Sequence, residues 1–341
     1  MLASRMDQPF DRALAAHRAG DFAAAEQGYR QVMHFKNALH NLGVLYLESG
    51  RPEAAEAPLR RVLEHFPNFA PSRHSLSMTL LALRRYDQAW PFYEARREVL
   101  PIADPPTQAP EWRGEPLAGK TLAVVREQGI GDQIMFGRYL AQLDAMGAEV
   151  VLACDPRTVA RLFEAAGRRT RPYPREARGP LPPCDYWCFF GSLPLWLTPF
   201  PPPAVFLPQF GGGGGGVGVV ATGSPSHAYD VHRSLPAEAA ARLLSLGRDL
   251  LPKATGAFDL LDTAEIVAGL DLVIAVDTSI VHLAGAMGKP CWVLLPRIGL
   301  DFRWNDGVAS DWYPQLRLFR QGEPGDWRTV LDEVSAALRA L

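Results

Sequence analysis

From Lys120 onward, short unbroken apolar runs alternate with segments whose apolar residues recur every three or four positions, the patterns of buried strand and amphipathic helix. Lys120–Val125, Glu149–Ala153, Val217–Ala221, Leu272–Val276 and Cys291–Leu295 predict strands. Asp132–Met146, Arg157–Ala166, Thr263–Leu270 and Asp326–Leu341 predict helices. Strands apolar on both faces belong to parallel sheets covered by helices, so the pattern predicts two doubly wound α/β domains. The proline-laden segment 172–203 ends the first, and six consecutive glycines, Gly211–Gly216, precede the second as a loose hinge. A further strand is expected between Leu243 and Phe258, with Leu251–Ala257 as its weak stretch.

Residues 10–97 follow a different rule, because they repeat. Gly20, Gly50 and Arg84 share one recurring position, Ala25, Ala55 and Ala89 the next, and Tyr29, Leu59 and Tyr93 a third. The middle unit adds Leu42-Gly43, Tyr46 and Pro67 at offsets that suit close helix pairing and termination by proline. This region resembles the tetratricopeptide repeat, which implies stacked helix pairs able to hold a protein or peptide, or serving only as a packing module. Ala55 to Ala89 spans 34 positions, but Ala25 to Ala55 only 30, a deficit of four between Val32 and Ala38. The deficit reads as a lost turn with its proline, either a deformed first repeat or, the favoured reading, residues missing from the chain. The glycine run and the 243–258 stretch raise the same suspicion. Pro101–Pro110 then reads as a proline-rich linker.

At 341 residues and 48% hydrophobic content the chain can bury more than one core. Domains are expected at 1–100 (repeats), 111–205 (first α/β) and 217–341 (second α/β with a C-terminal helix). A formal charge of −2 with no basic block argues against a nucleic-acid partner. No apolar run approaches the ~18 residues of a membrane span, and the N-terminus lacks a signal-type apolar region, so a cytoplasmic location is expected. Four cysteines are too few for a disulfide scaffold. Cys184 and Cys188 lack further ligands at zinc-site spacing, and no metal is expected.

The candidate chemistry lies in two turns that follow strands. After Leu272–Val276, Asp277, Thr278 and Ser279 are all good N-cap residues, so a helix should begin there with its amides and positive dipole end directed outward, a place that suits anions. Such caps also occur on helices that bind nothing. His282, in the first helical turn, tips the balance toward an anion, because a cation there is disfavoured without compensation. Asp277 would repel a diphosphate, and reads as the cap or as a contact to a sugar hydroxyl. After Lys120–Val125, Gly129-Ile130-Gly131 predicts a tight turn and Asp132 the helix start. That reads equally as a turn plus an N-cap or as a site where backbone approaches a ligand. Arg233 offers fixed positive charge for a diphosphate. The two domains should face each other across a cleft, with both turns pointing into it.

Several enzyme classes lack an anchor. The residue three after Gly131 is Ile134, not the glycine of a dinucleotide fingerprint. Walker, Gly-x-Ser-x-Gly and His-Glu-x-x-His motifs are missing, and no two aspartates are separated by one residue.

Four segments, EWRGEPLAGKTLAVVREQGIGDQIMFGRYL (111–140), HRSLP (232–236), VDTSIVHLAGAMGKPCWVLLP (276–296) and WYPQLRLFRQGEPGDW (312–327), together resemble the bacterial ADP-heptose:lipopolysaccharide heptosyltransferase family fused behind tetratricopeptide repeats. The resemblance implies a GT-B architecture: two Rossmann-like domains, the second holding a nucleotide-diphosphate sugar. It implies inverting, metal-independent transfer to an acceptor hydroxyl, with no cofactor. By that likeness Asp132 is the general base and Gly131 shapes its turn; Thr278, Ser279 and His282 bind phosphate, Asp277 is the accompanying acid, and Arg233 lies near the donor phosphates. The acceptor is open, a protein presented by the repeats being one candidate. The alternative function is a repeat-based adaptor whose transferase half is degenerate. Trp304, Trp312, Tyr313 and Trp327 read as packing residues rather than acceptor contacts.

Overall fold

A computed structural model describes residues 3–173, 179–198, 205–208, 210–211, 214–227, 229–299, 301–304 and 307–341. The chain divides into two compact units, one of residues 1–102 with 297–304, the other of 103–296 with 305–341.

The first unit is helical: α1 (Ala3–Arg18), α2 (Phe22–Gln31), α3 (Lys36–Glu48), α4 (Pro52–His65), α5 (Ala70–Ala82), α6 (Tyr86–Tyr93) and α7 (Arg96–Val99). Ala25, Ala55 and Ala89 are wholly buried. A Cβ on Gly43 would lie 2.5 Å from the Leu59 side chain, which is how closely α3 approaches α4. The recurring Gly20, Gly50 and Arg84 are the residues that end one helix of each pair with positive φ, at 79°, 71° and 60°. Each is followed by an amide that reaches back five residues, Asp21 to Ala16, Arg51 to Tyr46 and Arg85 to Leu80, closing the helix end with a left-handed residue.

The four-residue deficit is not a lost turn. The connection Val32–Phe35 is intact, with Phe35 N–H donating to the Val32 carbonyl, and it matches Phe66–Phe69 in the next pair, where Phe69 donates to Phe66. What is shorter is α2, 10 residues against 14 in α4. Losing one helical turn, about 3.6 residues, keeps the apolar stripe on the same face, so the pairing survives.

The second unit holds two parallel sheets. The first comprises β1 (Thr121–Val125), α8 (Ile130–Phe136), α9 (Leu140–Ala145), β2 (Glu149–Cys154), α10 (Ala160–Ala165), β3 (Arg169–Pro172), β4 (Tyr186–Phe189) and α11 (Leu193–Trp196), with strand order β3-β2-β1-β4. The second comprises β5 (Val217–Val220), α12 (Asp230–Arg233), α13 (Ala237–Leu244), β6 (Arg248–Asp249), α14 (Pro252–Thr255), α15 (Leu260–Ala268), β7 (Leu272–Val276), α16 (Ser279–Ala286), β8 (Cys291–Leu295), β9 (Leu316–Arg320) and α17 (Trp327–Arg339), ordered β6-β5-β7-β8-β9. All pairings within the sheets are parallel. Strand order therefore reverses between β1 and β4 in one sheet and between β5 and β7 in the other, where ligands of such sheets settle.

Several expectations change. The single helix expected over Asp132–Met146 is broken by a tight turn at Gly137–Tyr139, where a Cβ on Gly137 would lie 3.0 Å from the Phe206 ring. The strand sought near Leu251–Ala257 is the two-residue β6, and 252–255 is a helical turn instead. Of the glycine run, 212 and 213 lie outside the described residues. Its end is tied down: Gly215 N–H donates to Gly269 O and Gly216 N–H to Asp271 Oδ2, both at 2.7 Å. Helix α17 packs on the second sheet's own core, with Val330, Leu331 and Val334 against Val219, Leu243 and Phe319.

Candidate functional site

Helix α8 starts a residue pair earlier than its sequence suggests. Gly129 is the N-cap, Gly131 lies inside the first turn, and Asp132 reaches back so that its Oδ2 accepts the Gly129 N–H at 3.0 Å. One Asp132 oxygen is thus engaged in capping. Beside it, Glu127 Oε1 accepts the Gly191 N–H at 3.0 Å, joining the ends of β1 and β4 at the point where strand order reverses. Sequence reasoning passed over Glu127, although it stands five residues before Asp132 at a strand end.

On the other sheet, Thr278 takes the N-cap position and Ser279 opens α16, but the Thr278 hydroxyl makes no cap bond. Its Oγ1 is buried without a hydrogen-bond partner among the described residues, a cost that a ligand at the helix mouth would relieve. Asp277 precedes the cap rather than forming it, and its carbonyl accepts from Arg233 Nη1 at 2.8 Å. Arg233 also donates from Nε to Asp230 Oδ1 at 3.1 Å. The guanidinium therefore ties the segment after β5 to the segment after β7, across the second strand-order reversal. Gly223 makes room for this pair, since a Cβ there would stand 2.5 Å from Asp230 Oδ1 and 2.7 Å from the guanidinium.

His282 is buried on the inner face of α16, 4% exposed. A Cβ on Gly131 would fall 2.7 Å from its Cδ2 and 3.3 Å from Nε2. The two turn-bearing helices are accordingly in contact, rather than facing each other across an open cleft. His282 Nδ1 lies 3.0 Å from the Tyr313 hydroxyl. Tyr313 is fully buried, as are Trp304 and Trp312 to within 1%; its ring lies flush on α16 at Gly285, where a Cβ would be 2.3 Å away. Arg138, 2% exposed, lies over the Trp312 and Tyr313 rings at 5.1 and 4.8 Å and donates to the Met135 and Trp312 carbonyls. Arg138 escaped the sequence reading, which took Tyr313 as a packing residue only. Their only signal was position within the two shared segments.

A second seam joins the sheets. Arg161 of α10 pairs with Asp259 at 3.0 Å and Asp262 at 3.2 Å, and Leu260 N–H donates to the Thr158 carbonyl. Cys154 and Cys291 are buried strand residues; burial pushes the Cys154 thiol up to about 12 and the Cys291 thiol higher still. No group of three metal-binding side chains occurs among the described residues, and no described helix is long and apolar enough to cross a membrane.

Residues 37–64 match the tetratricopeptide repeat family model, so the helical unit contains that repeat. Across nearly the whole chain there is similarity to Protein FlbA of Caulobacter vibrioides, 27% identical over 389 aligned positions, covering 94% of this chain and 64% of that protein. The chain thus spans about two thirds of the length of this curated relative. Among solved structures, a mutant of the O-GlcNAc transferase of Thermobaculum terrenum overlays at TM-score 0.29 and 17% identity, covering 99% of this chain and 94% of that one. A MamA mutant overlays at TM-score 0.27 and 24% identity, over 30% of this chain and 62% of that one. With overlays this loose, the architecture is read from the sheets themselves.

Proposed function

We propose that the chain is a glycosyltransferase of GT-B type that moves a sugar from a nucleotide diphosphate to an acceptor hydroxyl, with inversion and without a metal. The carrying observation is that the turns following β1 and β7, each beside a strand-order reversal, are brought together with Gly131 against His282. Transfer of this kind needs stabilisation of a departing diphosphate and a group to accept the acceptor's proton. The mouth of α16 supplies backbone amides, the dipole, Ser279 and the unsatisfied Thr278 hydroxyl to the first task. Arg233 holds the Asp277 carbonyl, so its part is to shape the turn. Asp132 is the candidate base, and leaving its capping bond would free the engaged oxygen for the acceptor. The shared segments favour a heptosyltransferase-like donor site, and the repeats are suited to present a protein acceptor. A cytoplasmic location accords with a nucleotide-sugar donor.

Titration calorimetry with UDP, GDP, ADP and their sugar conjugates tests the reading. Specific binding that weakens about tenfold in Thr278→Val, the loss of one good hydrogen bond, supports it. An absence of binding to every nucleotide overturns it in favour of an adaptor. If Asp132→Asn transfers sugar at the wild-type rate, the base lies elsewhere.

A further inference from the structure

Between β5 and α13 the chain forms a closed loop, residues 222–234. Its neck is fastened twice: Leu235 N–H donates to the Ala221 carbonyl at 2.9 Å, and Gly223 N–H to Ser234 Oγ at 2.8 Å. Inside the neck lies the Arg233–Asp230 pair, its side chains 11% and 17% exposed. Toward the tip, His227 N–H donates to the Ser224 carbonyl, and Asp230 N–H, at the start of α12, to that of His227. Loops closed at the neck and packed on their own side chains are compact surface units that frequently carry function.

Two facts set this loop beside the candidate donor site. It leaves the C-terminal end of β5, next to the strand-order reversal with β7, the edge where ligands of such sheets settle. Arg233 also binds the Asp277 carbonyl at 2.8 Å, one residue before Thr278. What the loop displays is neutral. Asp230 and Arg233 are its one carboxylate and its one guanidinium, and they neutralise each other. At the tip, Ser224 and Ser226 are exposed on either side of Pro225, with hydroxyl oxygens 2.9 Å apart. One hydroxyl donates to the other, so the pair still offers a donor and several lone pairs. The proline between them restricts the backbone.

We propose that Ser224 and Ser226 bind hydroxyls of the transferred sugar, and that the loop selects a neutral sugar over an acidic one. This role rests on the transferase reading above. Two hydroxyls on a stiff frame exchange hydrogen bonds with a polyol at little ordering cost. A uronic acid would bring a carboxylate to a loop whose one guanidinium is already committed to Asp230 and Asp277, and a desolvated charge without a partner is costly.

Titration calorimetry on the full chain at pH 8, where an ordinary imidazole is uncharged, compares UDP, GDP and ADP with UDP-glucose, GDP-mannose, ADP-glucose and UDP-glucuronic acid. The neutral conjugate of the preferred nucleotide should bind about tenfold tighter than the bare diphosphate, and UDP-glucuronic acid no tighter than UDP. Combining Ser224→Ala with Ser226→Ala should abolish the gain from the sugar and leave affinity for the bare diphosphate unchanged. Ser224→Thr with Ser226→Thr, which keeps both hydroxyls, should retain the gain. A loss shared equally by diphosphate and conjugate, or no loss, overturns the sugar role, as does tighter binding of UDP-glucuronic acid than of UDP-glucose. The wild-type comparison needs no variant to fold. If diphosphates bind and the conjugates gain nothing, the loop assignment fails while the transferase reading stands; if neither binds, the transferase reading itself fails.

Discussion

Gly131 and His282 are fitted so closely that a single methyl group on the glycine would lie 2.7 Å from the imidazole Cδ2. The contact joins the turn after β1 to the helix after β7, and it defines where the two sheets meet around the candidate site.

Gly131→Ala should therefore act on both stability and binding. The imidazole is buried and held by Tyr313, so the added methyl must push two helices apart, which costs about 1–3 kcal/mol. Denaturation midpoints measure the first effect, and calorimetry with nucleoside diphosphates the second. An alanine variant with unchanged midpoint would show that the helices separate freely.

The three left-handed helix ends in the repeats differ in cost. Gly20 has open space around it, so Gly20→Ala should destabilise by about 1 kcal/mol through its φ of 79° alone. Arg84 holds φ at 60° with a full side chain, and Arg84→Gly should be neutral to stabilising by up to about 1 kcal/mol, the relief offset by a more flexible unfolded chain. Urea titration compares the pair.

Acid should loosen the repeat unit before carboxylates are titrated. Burial, aided by the charges of Lys36 and Arg96 respectively, holds His40 and His74 down at about 4, against an ordinary 6.5. The unfolded chain then binds more protons between these values, so the contribution is complete above pH 6.5 and is lost as pH falls toward 4. Each imidazole accounts for about 3 kcal/mol on that scale. Amide exchange in α3 and α5 of the full chain should quicken over this interval, and His40→Gln with His74→Gln should flatten the response.

Thiol labelling of the native protein should modify Cys184 alone. Cys154, Cys188 and Cys291 are fully buried, whereas Cys184 is only half-buried. Early modification of Cys291 would mean that the second sheet opens readily.

The strands of both sheets were legible wherever burial on both faces produced an unbroken apolar run, as in Leu272–Val276 and Cys291–Leu295, which match β7 and β8 residue for residue. β3, Arg169–Pro172, is an exposed edge strand with alternating charge, and β6 has two residues; neither leaves a hydrophobic signature. β4 hides among prolines. The repeat spacing showed that four residues were lost but not where, because shortening a helix by one turn leaves the same pattern as deleting a connection. At the site, capping residues announced the helix starts. Arg138 was invisible, and Tyr313 legible only as a packing residue, because their contacts join segments 174 and 31 residues apart.

Asp259 has two duties at once. Its carboxylate, almost wholly enclosed, accepts the amides of Leu261 and Asp262 at the head of α15 and also receives Arg161 from the opposite sheet. Any motion that parts the sheets must strip the guanidinium from a group that stays desolvated, or let the first turn of α15 unwind with it. Parting of the sheets and fraying of that helix are thereby coupled through one carboxylate.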